Sequence, residues 1–308
     1  MSKRSLLIII MLLAIIDIVA AFWYLAVRIE ASGDSRDLFS IRTDTAQVQV
    51  ADTIIDTNVP DTFMIAERHA YFVSVHPAVK GDNSTYYACT MRVKVRWPQS
   101  VNGSNNVKSL EQALMAKMFS AASNSMDQGM AMFLAKPTFS APGKIDYKLL
   151  TKRPTPKPAY ASRRTVMAFP VMTSMRLLVM GIEKHDHIGN EKTTHSAFVH
   201  YDRGMHRVLN KKDIFQREDA AVVAIINKKI DALSKIQLKH ADTFPTEFQI
   251  KAKGICFYFS PGMVADTAEG PIEIFVDYGS LRSVFTPAFK QLVDTNDGFW
   301  DYKPLSLD

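Results

Sequence analysis

Apolar residues along this chain form one long block followed by short stretches of strand-like alternation or helical spacing. Leu6 to Val27, LLIIIMLLAIIDIVAAFWYLAV, is a run of 22 residues in which Asp17 is the one charge. At ~1.5 Å per residue such a helix crosses a ~30 Å hydrocarbon core. Lys3 and Arg4 precede the run and Phe22, Trp23 and Tyr24 stand near its far end, where aromatic rings favour the membrane interface. The expectation is a single-pass anchor at 6–27, with a short cytoplasmic N-terminus at 1–5 and the bulk of the chain outside the cytoplasmic membrane. A cleaved signal peptide fits less well, because its apolar core is usually 7 to 15 residues. Asp17 costs ~3 kcal/mol at a helix centre. It reads either as a contact with a basic residue of a partner helix or as a tolerated polar position.

Residues 28–61 lack a helical stripe, are rich in Asp and Thr, and read as an extended tether. Past them, YYACTMRVKVRWP alternates: Tyr87, Cys89, Met91, Val93, Val95 and Trp97 share one strand face and Arg92, Lys94 and Arg96 the other. The three cations suggest an anionic partner or, more simply, the solvated face of a protected edge strand. Val107 to Ala135 predicts one helix, with Met115, Phe119, Ala122, Met126, Met130 and Phe133 as its apolar stripe. Lys152 to Arg164, KRPTPKPAYASRR, has three prolines and the five basic residues Lys152, Arg153, Lys157, Arg163 and Arg164. It reads as an exposed loop and a second candidate binding surface. Strands follow at Arg176 to Ile182 and Ser196 to Tyr201 around a polar turn at Ile188 to Glu191. Next come a turn at Asp202 to Gly204, a helix at Glu218 to Ile236, and strands at Ile255 to Phe259 and Ile272 to Val276.

The fold class expected is α+β: an N-terminal transmembrane helix, then an antiparallel or mixed sheet packed with two long helices. Its two halves are 62–150 and 166–300, joined by the basic loop at 151–165, with a tail at 301–308. Lys+Arg number 37 and Asp+Glu 31, a charge of +6. That is too slight a basic excess for a dedicated nucleic-acid binder.

Chemistry-bearing patterns are few. Five of the eight histidines lie between His185 and His206. His185 and His187 share a strand face as zinc ligands can, but His195 and His200 face opposite ways and no Cys or Glu stands at ligand spacing, so exposed hairpin histidines are the default. Clustered histidines would also make a pH-sensitive surface. G-x-S-x-G, H-E-x-x-H, P-loop and G-x-G-x-x-G patterns do not occur, so neither a catalytic residue nor a cofactor is assigned. Outside the cytoplasm, Cys89 and Cys256 can form a disulfide contributing ~4 to 5 kcal/mol, or remain two separately buried thiols.

The final third carries a resemblance. A strand ending in an aromatic, a Pro261-containing turn, Ala265 and Ala268, Gly270, and a strand finishing in Asp277-Tyr278 before Leu281 resemble the C-terminal domain shared by the lysozyme-sensing anti-sigma factor RsiV and the peptidoglycan deacetylase PdaC. Tyr201-Asp202, Gly204, Lys212-Asp213-Ile214-Phe215 and Trp97-Pro98 resemble further parts of that family, over about Phe63 to Phe289. The resemblance implies an α+β unit outside the membrane, used by some members to bind lysozyme or to accompany cell-wall enzymes. The family's glycine-rich GGAH-type turn is replaced here by HIGNEKTTH, and the five residues ahead of the membrane run leave no room for a sigma-binding domain. No polysaccharide-deacetylase domain is expected either. The reading is a membrane-anchored extracytoplasmic binding or sensing protein of the bacterial envelope, recognising a muramidase or a wall component such as peptidoglycan. The alternatives are an envelope-acting hydrolase with a site assembled from distant segments and a structural subunit of a membrane complex.

Overall fold

A long strand pair begins the architecture: β1 (Thr62–Ser74) and β2 (Tyr87–Ser100) run antiparallel along almost their whole length. The computed structural model describes residues 61–74, 87–119, 123, 125–135, 137, 147–152, 160–233, 238–296 and 300–301. The membrane run at 6–27, Asp17, the tether before Asp61, Arg153, Lys157 and the tail from 302 lie outside the described residues. Among the described residues no helix is long and apolar enough to cross a membrane.

Beside β2 lies β4 (Tyr160–Thr173), and this pairing is parallel, so the large sheet is mixed. β3 (Tyr147–Leu150) adds to the far edge of β1, and β5 (Leu177–Ile188), β6 (Glu191–Asp202) and β7 (Arg207–Leu209) extend the other side by antiparallel steps. The order is β3-β1-β2-β4-β5-β6-β7, and β11 (Trp300–Asp301) on β4 completes eight strands. A second sheet has three antiparallel strands, β8 (Glu247–Lys251), β9 (Gly254–Phe259) and β10 (Ile272–Asp277), with β9 central.

The alternation in β2 decides which face takes the helices. Cys89, Met91, Val93, Val95 and Trp97 are all buried beneath α1 (Lys108–Phe119) and α2 (Met126–Leu134), and the Trp97 indole donates to Glu111 of α1 at 2.8 Å. β2 is a central strand rather than the protected edge that its three cations suggest, because the parallel partner arrives from sequence 70 residues away. The single helix expected over Val107 to Ala135 is two helices. The polar Ser-Asn-Ser segment supplies a fresh N-cap, Ser125, whose side chain accepts from Gln128 N, and this restarts the helix. The break lets the Phe119 and Phe133 rings meet at 6.2 Å. Gly129 is needed at that contact, since a Cβ there would lie 2.5 Å from the Phe119 ring.

The basic segment Lys152 to Arg164 is a loop only in part. β4 begins at Tyr160, so Arg163 and Arg164 sit on a strand, and alternation sends them to opposite faces. The Glu218 to Ile236 helix is α4 (Asp219–Asp231); Leu233 lies beyond its end and Ile236 lies outside the described residues. Val222, Val223, Ile226 and Ile230 of α4 pack on Ile250, Phe257, Phe259, Ile274 and Val276 of the small sheet. Phe215, after the short α3 (Lys211–Ile214), stands at the centre of this core, touching the rings of Phe244, Phe248, Phe257 and Phe285. Aromatic contacts of this kind add ~0.5 to 1.5 kcal/mol each beyond area burial. α5 (Tyr278–Leu281) and α6 (Pro287–Asp294) close it, through Leu281, Phe289 and Leu292.

Candidate functional site: the cleft between the sheets

Burying Ile255, Phe257 and Phe259 against α4 turns the alternate positions of the small sheet outward. Register then aligns Glu247, Tyr258 and Glu273 in one row across β8, β9 and β10, and Gln249, Cys256 and Phe275 in the next. Facing them is the large-sheet surface formed by β4, β5 and β6. Here β4 carries a bulge: Pro170 opposes Met180 and Met172 opposes Val179, leaving Val171 without a partner. Proline cannot donate to the ladder, and bulges re-aim side chains in this way. Gly181 lies alongside, where a Cβ would come within 2.6 Å of Val171 Cγ1.

The result is a cavity of about 300 Å³, half open to solvent, between the two sheets. Phe169, Val171, Gly181, Ile182 and Phe198 form its apolar wall, and Glu183, Ser196, Gln249, Lys251, Tyr258 and Glu273 its polar side. The volume matches a monosaccharide-sized group or a long side chain, at the low end for ligand pockets. Phe198 and Tyr258 stack obliquely with centroids 4.9 Å apart. The edge of β8 is fastened to the large sheet by Glu247, which takes Lys117 Nζ of α1 at 2.6 Å and accepts from Phe198 N at 3.3 Å.

Hydrogen bonding fixes the polar groups. Tyr258 OH donates to Gln249 Oε1 at 2.9 Å, and the Cys256 thiol donates to Glu273 Oε2 at 3.6 Å. Burial, assisted by the charge of Glu273, pushes the Cys256 thiol up to about 11 against the opposing effect of Lys251. Burial, with Cys256 and Glu273 next to it, pushes the Tyr258 phenol well up. Both groups therefore stay protonated at neutral pH and act as fixed donors rather than nucleophiles. Glu183 accepts from His185 Nε2 at 2.9 Å and so belongs to the cleft and the adjoining strand face at once.

The residues singled out by sequence are distributed differently. Cys89 lies in β2 and Cys256 in β9, of different sheets, and both are free, buried thiols. The disulfide is thus replaced by its alternative. His185 hydrogen-bonds Glu183 and Thr194, His187 is exposed, and no group of three or more His, Cys, Asp or Glu among the described residues can hold a metal ion. Arg92 pairs with Glu67 at 2.8 Å, and Arg164 forms a two-pronged bond to Asp186 at 2.7 Å on the helix-bearing face. Lys152 is exposed after β3. Arg92, Lys94, Arg96 and Arg163 share the face opposite the helices, while Arg164 does not.

The motif residues behind the family resemblance build the scaffold. Tyr201 OH donates to the Asn106 carbonyl at 3.0 Å, and Asp202 Oδ1 accepts from the backbone N–H groups of Gly204 and Met205. Asp213 closes a capping box on α3, Asp277 caps α5, and Gly270 takes φ +75°, a conformation that favours glycine. The cleft residues carry no such motif. Three signals mark them in the sequence: a proline inside a strand pattern at Pro170, a lone strand glycine at Gly181, and the polar alternation Glu247-Gln249-Lys251.

Against known proteins, no curated protein matches the chain. Solved structures that resemble it include a member of the DUF3298 family from Bacteroides fragilis NCTC 9343 and a DUF3298 family protein from Pseudomonas aeruginosa PAO1. The first is 17% identical, covers 76% of this chain and 98% of its own, and superposes with a TM-score of 0.52. The second is 12% identical, covers 76% and 97%, and has a TM-score of 0.42. Residues 212–279 match the family model described as "Protein of unknown function (DUF3298)". That segment runs from α3 through the small sheet to α5, and the chain shares the fold of the Bacteroides fragilis DUF3298 member.

Proposed function

We propose that this is a membrane-anchored extracytoplasmic binding protein of the bacterial cell envelope whose ligand seats in the cleft between the two sheets. The cleft carries the reading: an aromatic and aliphatic wall faced by carboxylates, an amide, an ammonium and a phenol, the phenol and amide joined by a hydrogen bond. Recognition is favoured over hydrolysis because the thiol and phenol at the site are held protonated by burial. The resemblance to the RsiV/PdaC-type domain supports a wall fragment or a muramidase as ligand. Two carboxylates, Glu183 and Glu273, against one Lys251 suit a ligand presenting an amine or guanidinium beside an apolar flank. The Leu6 to Val27 run supports attachment to the cytoplasmic membrane with this domain outside.

Titration calorimetry of the full chain in neutral detergent with soluble muropeptides, and separately with lysozyme, tests this. One of the two is expected to bind. Glu273→Gln and Tyr258→Phe are expected to weaken it at least tenfold while leaving the thermal midpoint within about 2 °C. If neither ligand binds, or the variants bind as the parent does, the reading is wrong. In intact cells with a permeabilised outer layer, protease is expected to remove the domain; full protection would reject the extracytoplasmic location.

A further inference from the structure

The large-sheet face that forms one wall of the cleft continues outward along the β5–β6 hairpin, and its chemistry changes. Register places Thr90, Arg163, His187 and Lys192 side by side on β2, β4, β5 and β6. Arg163, His187 and Lys192 are exposed and consecutive across three strands. At the ~4.8 Å spacing of neighbouring strands the three span ~10 Å. Like charges directly opposite in a sheet are destabilising, yet here two successive cross-strand neighbours are basic. Glu183, the acid of β5 on this face, is four residues along the strand from His187, or ~13 Å. That separation exceeds the ~8 to 10 Å over which charges act in physiological salt.

The next row inward is His69, Arg92, Thr165, His185 and Thr194, on β1, β2, β4, β5 and β6. In it Glu67 binds both His69 and Arg92 at 2.8 Å, and His185 bonds to Glu183 and Thr194. Lys94 stands beside Glu67 and Met167 in the row beyond. Glu67 and Glu183 are thus engaged by the inner row, and the outer row carries the cations Arg163 and Lys192.

We infer that this outer row, Arg163, His187 and Lys192, is a docking site for a phosphodiester polymer laid across the strands. A polymer suits the surface better than a bilayer does. Binding at a membrane surface gains from buried apolar side chains. Among the described residues none of the exposed large hydrophobic side chains lies on this face of β4, β5 or β6. Thr90, beside Arg163 in the same row, adds a hydroxyl able to donate to a phosphate oxygen. His187, between the two cations in the row, offers a ring N–H to a phosphate oxygen.

The experiment is binding of poly(glycerol phosphate) to the full chain in neutral detergent at pH 7.5, from low salt upward. The parent is expected to bind, with log affinity falling linearly against log salt. Arg163→Ser/Lys192→Ser is expected to lose at least tenfold in affinity and to lower the salt slope. Both positions are exposed, and circular dichroism melts check that the double variant folds. Absence of binding, or binding that the double variant retains, overturns the site. If phosphatidylglycerol vesicles bind through the same residues while the free polymer does not, the occupant is a membrane and the polymer is rejected. Because Arg163 and Lys192 do not line the cleft, the double variant retains muropeptide or lysozyme binding, and the two sites fail or stand separately.

Discussion

Lowering the pH destabilises this fold through one histidine. His200 on β6 is buried between β5 and β7, its ring stacks on Phe248 at 4.8 Å with 9° between planes, and Nε2 accepts from Ile250 N at 3.4 Å. Burial, reinforced by Lys117, lowers its pKa from 6.5 to about 3. The folded protein therefore binds fewer protons at this residue than the unfolded chain does below pH 6.5. Its contribution is constant above that pH and is lost progressively as pH falls toward 3. Each unit costs ~1.36 kcal/mol, so at pH 4.5 the loss reaches ~2.7 kcal/mol, about a hundredfold in the folding equilibrium. His200→Gln keeps a hydrogen-bond acceptor and removes the titration. Urea unfolding of both proteins at pH 7.5 and 4.5 measures the difference, with the carboxylates cancelling between them. The parent should lose ~2.7 kcal/mol more than the variant over this interval. Equal losses would refute the claim that His200 is buried neutral.

Other consequences are equally direct. Arg203 and Asp61, 2% and 5% exposed at their side chains, are paired at 2.7 Å; Asp61→Asn leaves Arg203 buried without its counter-charge and should cost ~3 to 5 kcal/mol by urea unfolding. Gly181→Ala should cost ~1 to 3 kcal/mol through its clash with Val171, and adding Val171→Ala should recover most of it. Gly254→Ala places a Cβ 2.3 Å from the Val276 carbonyl oxygen, where backbone must move, and should lower the thermal midpoint more than Gly181→Ala does. Mass spectrometry after unfolding without reductant should count two free thiols. Before unfolding, alkylation at pH 8 should be slow at Cys256, whose thiol is pushed up to about 11.

Local signals survived the passage to three dimensions where the physics is local. Alternation put Cys89, Met91, Val93, Val95 and Trp97 on one buried face because side chains on a strand must alternate. Asp202 and Gly204 marked a turn, because that conformation depends on a few adjacent residues. The long helix failed for a reason also written locally: Ser125 is a better N-cap than an interior residue, and an unbroken apolar stripe does not report caps.

Strand neighbours were decided by tertiary structure. The parallel pairing of β2 with β4 made a central strand of what charge alone suggested was an edge. The antiparallel pairing of β4 with β5 and of β5 with β6 set Arg163 in line with His187 and Lys192, residues separated in sequence by two turns. The cleft needed more again: a bulge at Val171, a glycine opposite it, and a second sheet whose outward face exists only because its inner face is buried on α4. The sequence by itself determined where β2, much of β5 and β6, β9 and β10, the turn at Asp202 to Gly204 and the membrane-length apolar run stand, since each follows from residues within a few positions, whereas β1, β3 and β8 were not read from it. Which polar groups share a surface was left to the pairing of distant strands, where burial of the apolar faces, summed over the whole core, selects one register and sends every alternate side chain to its side.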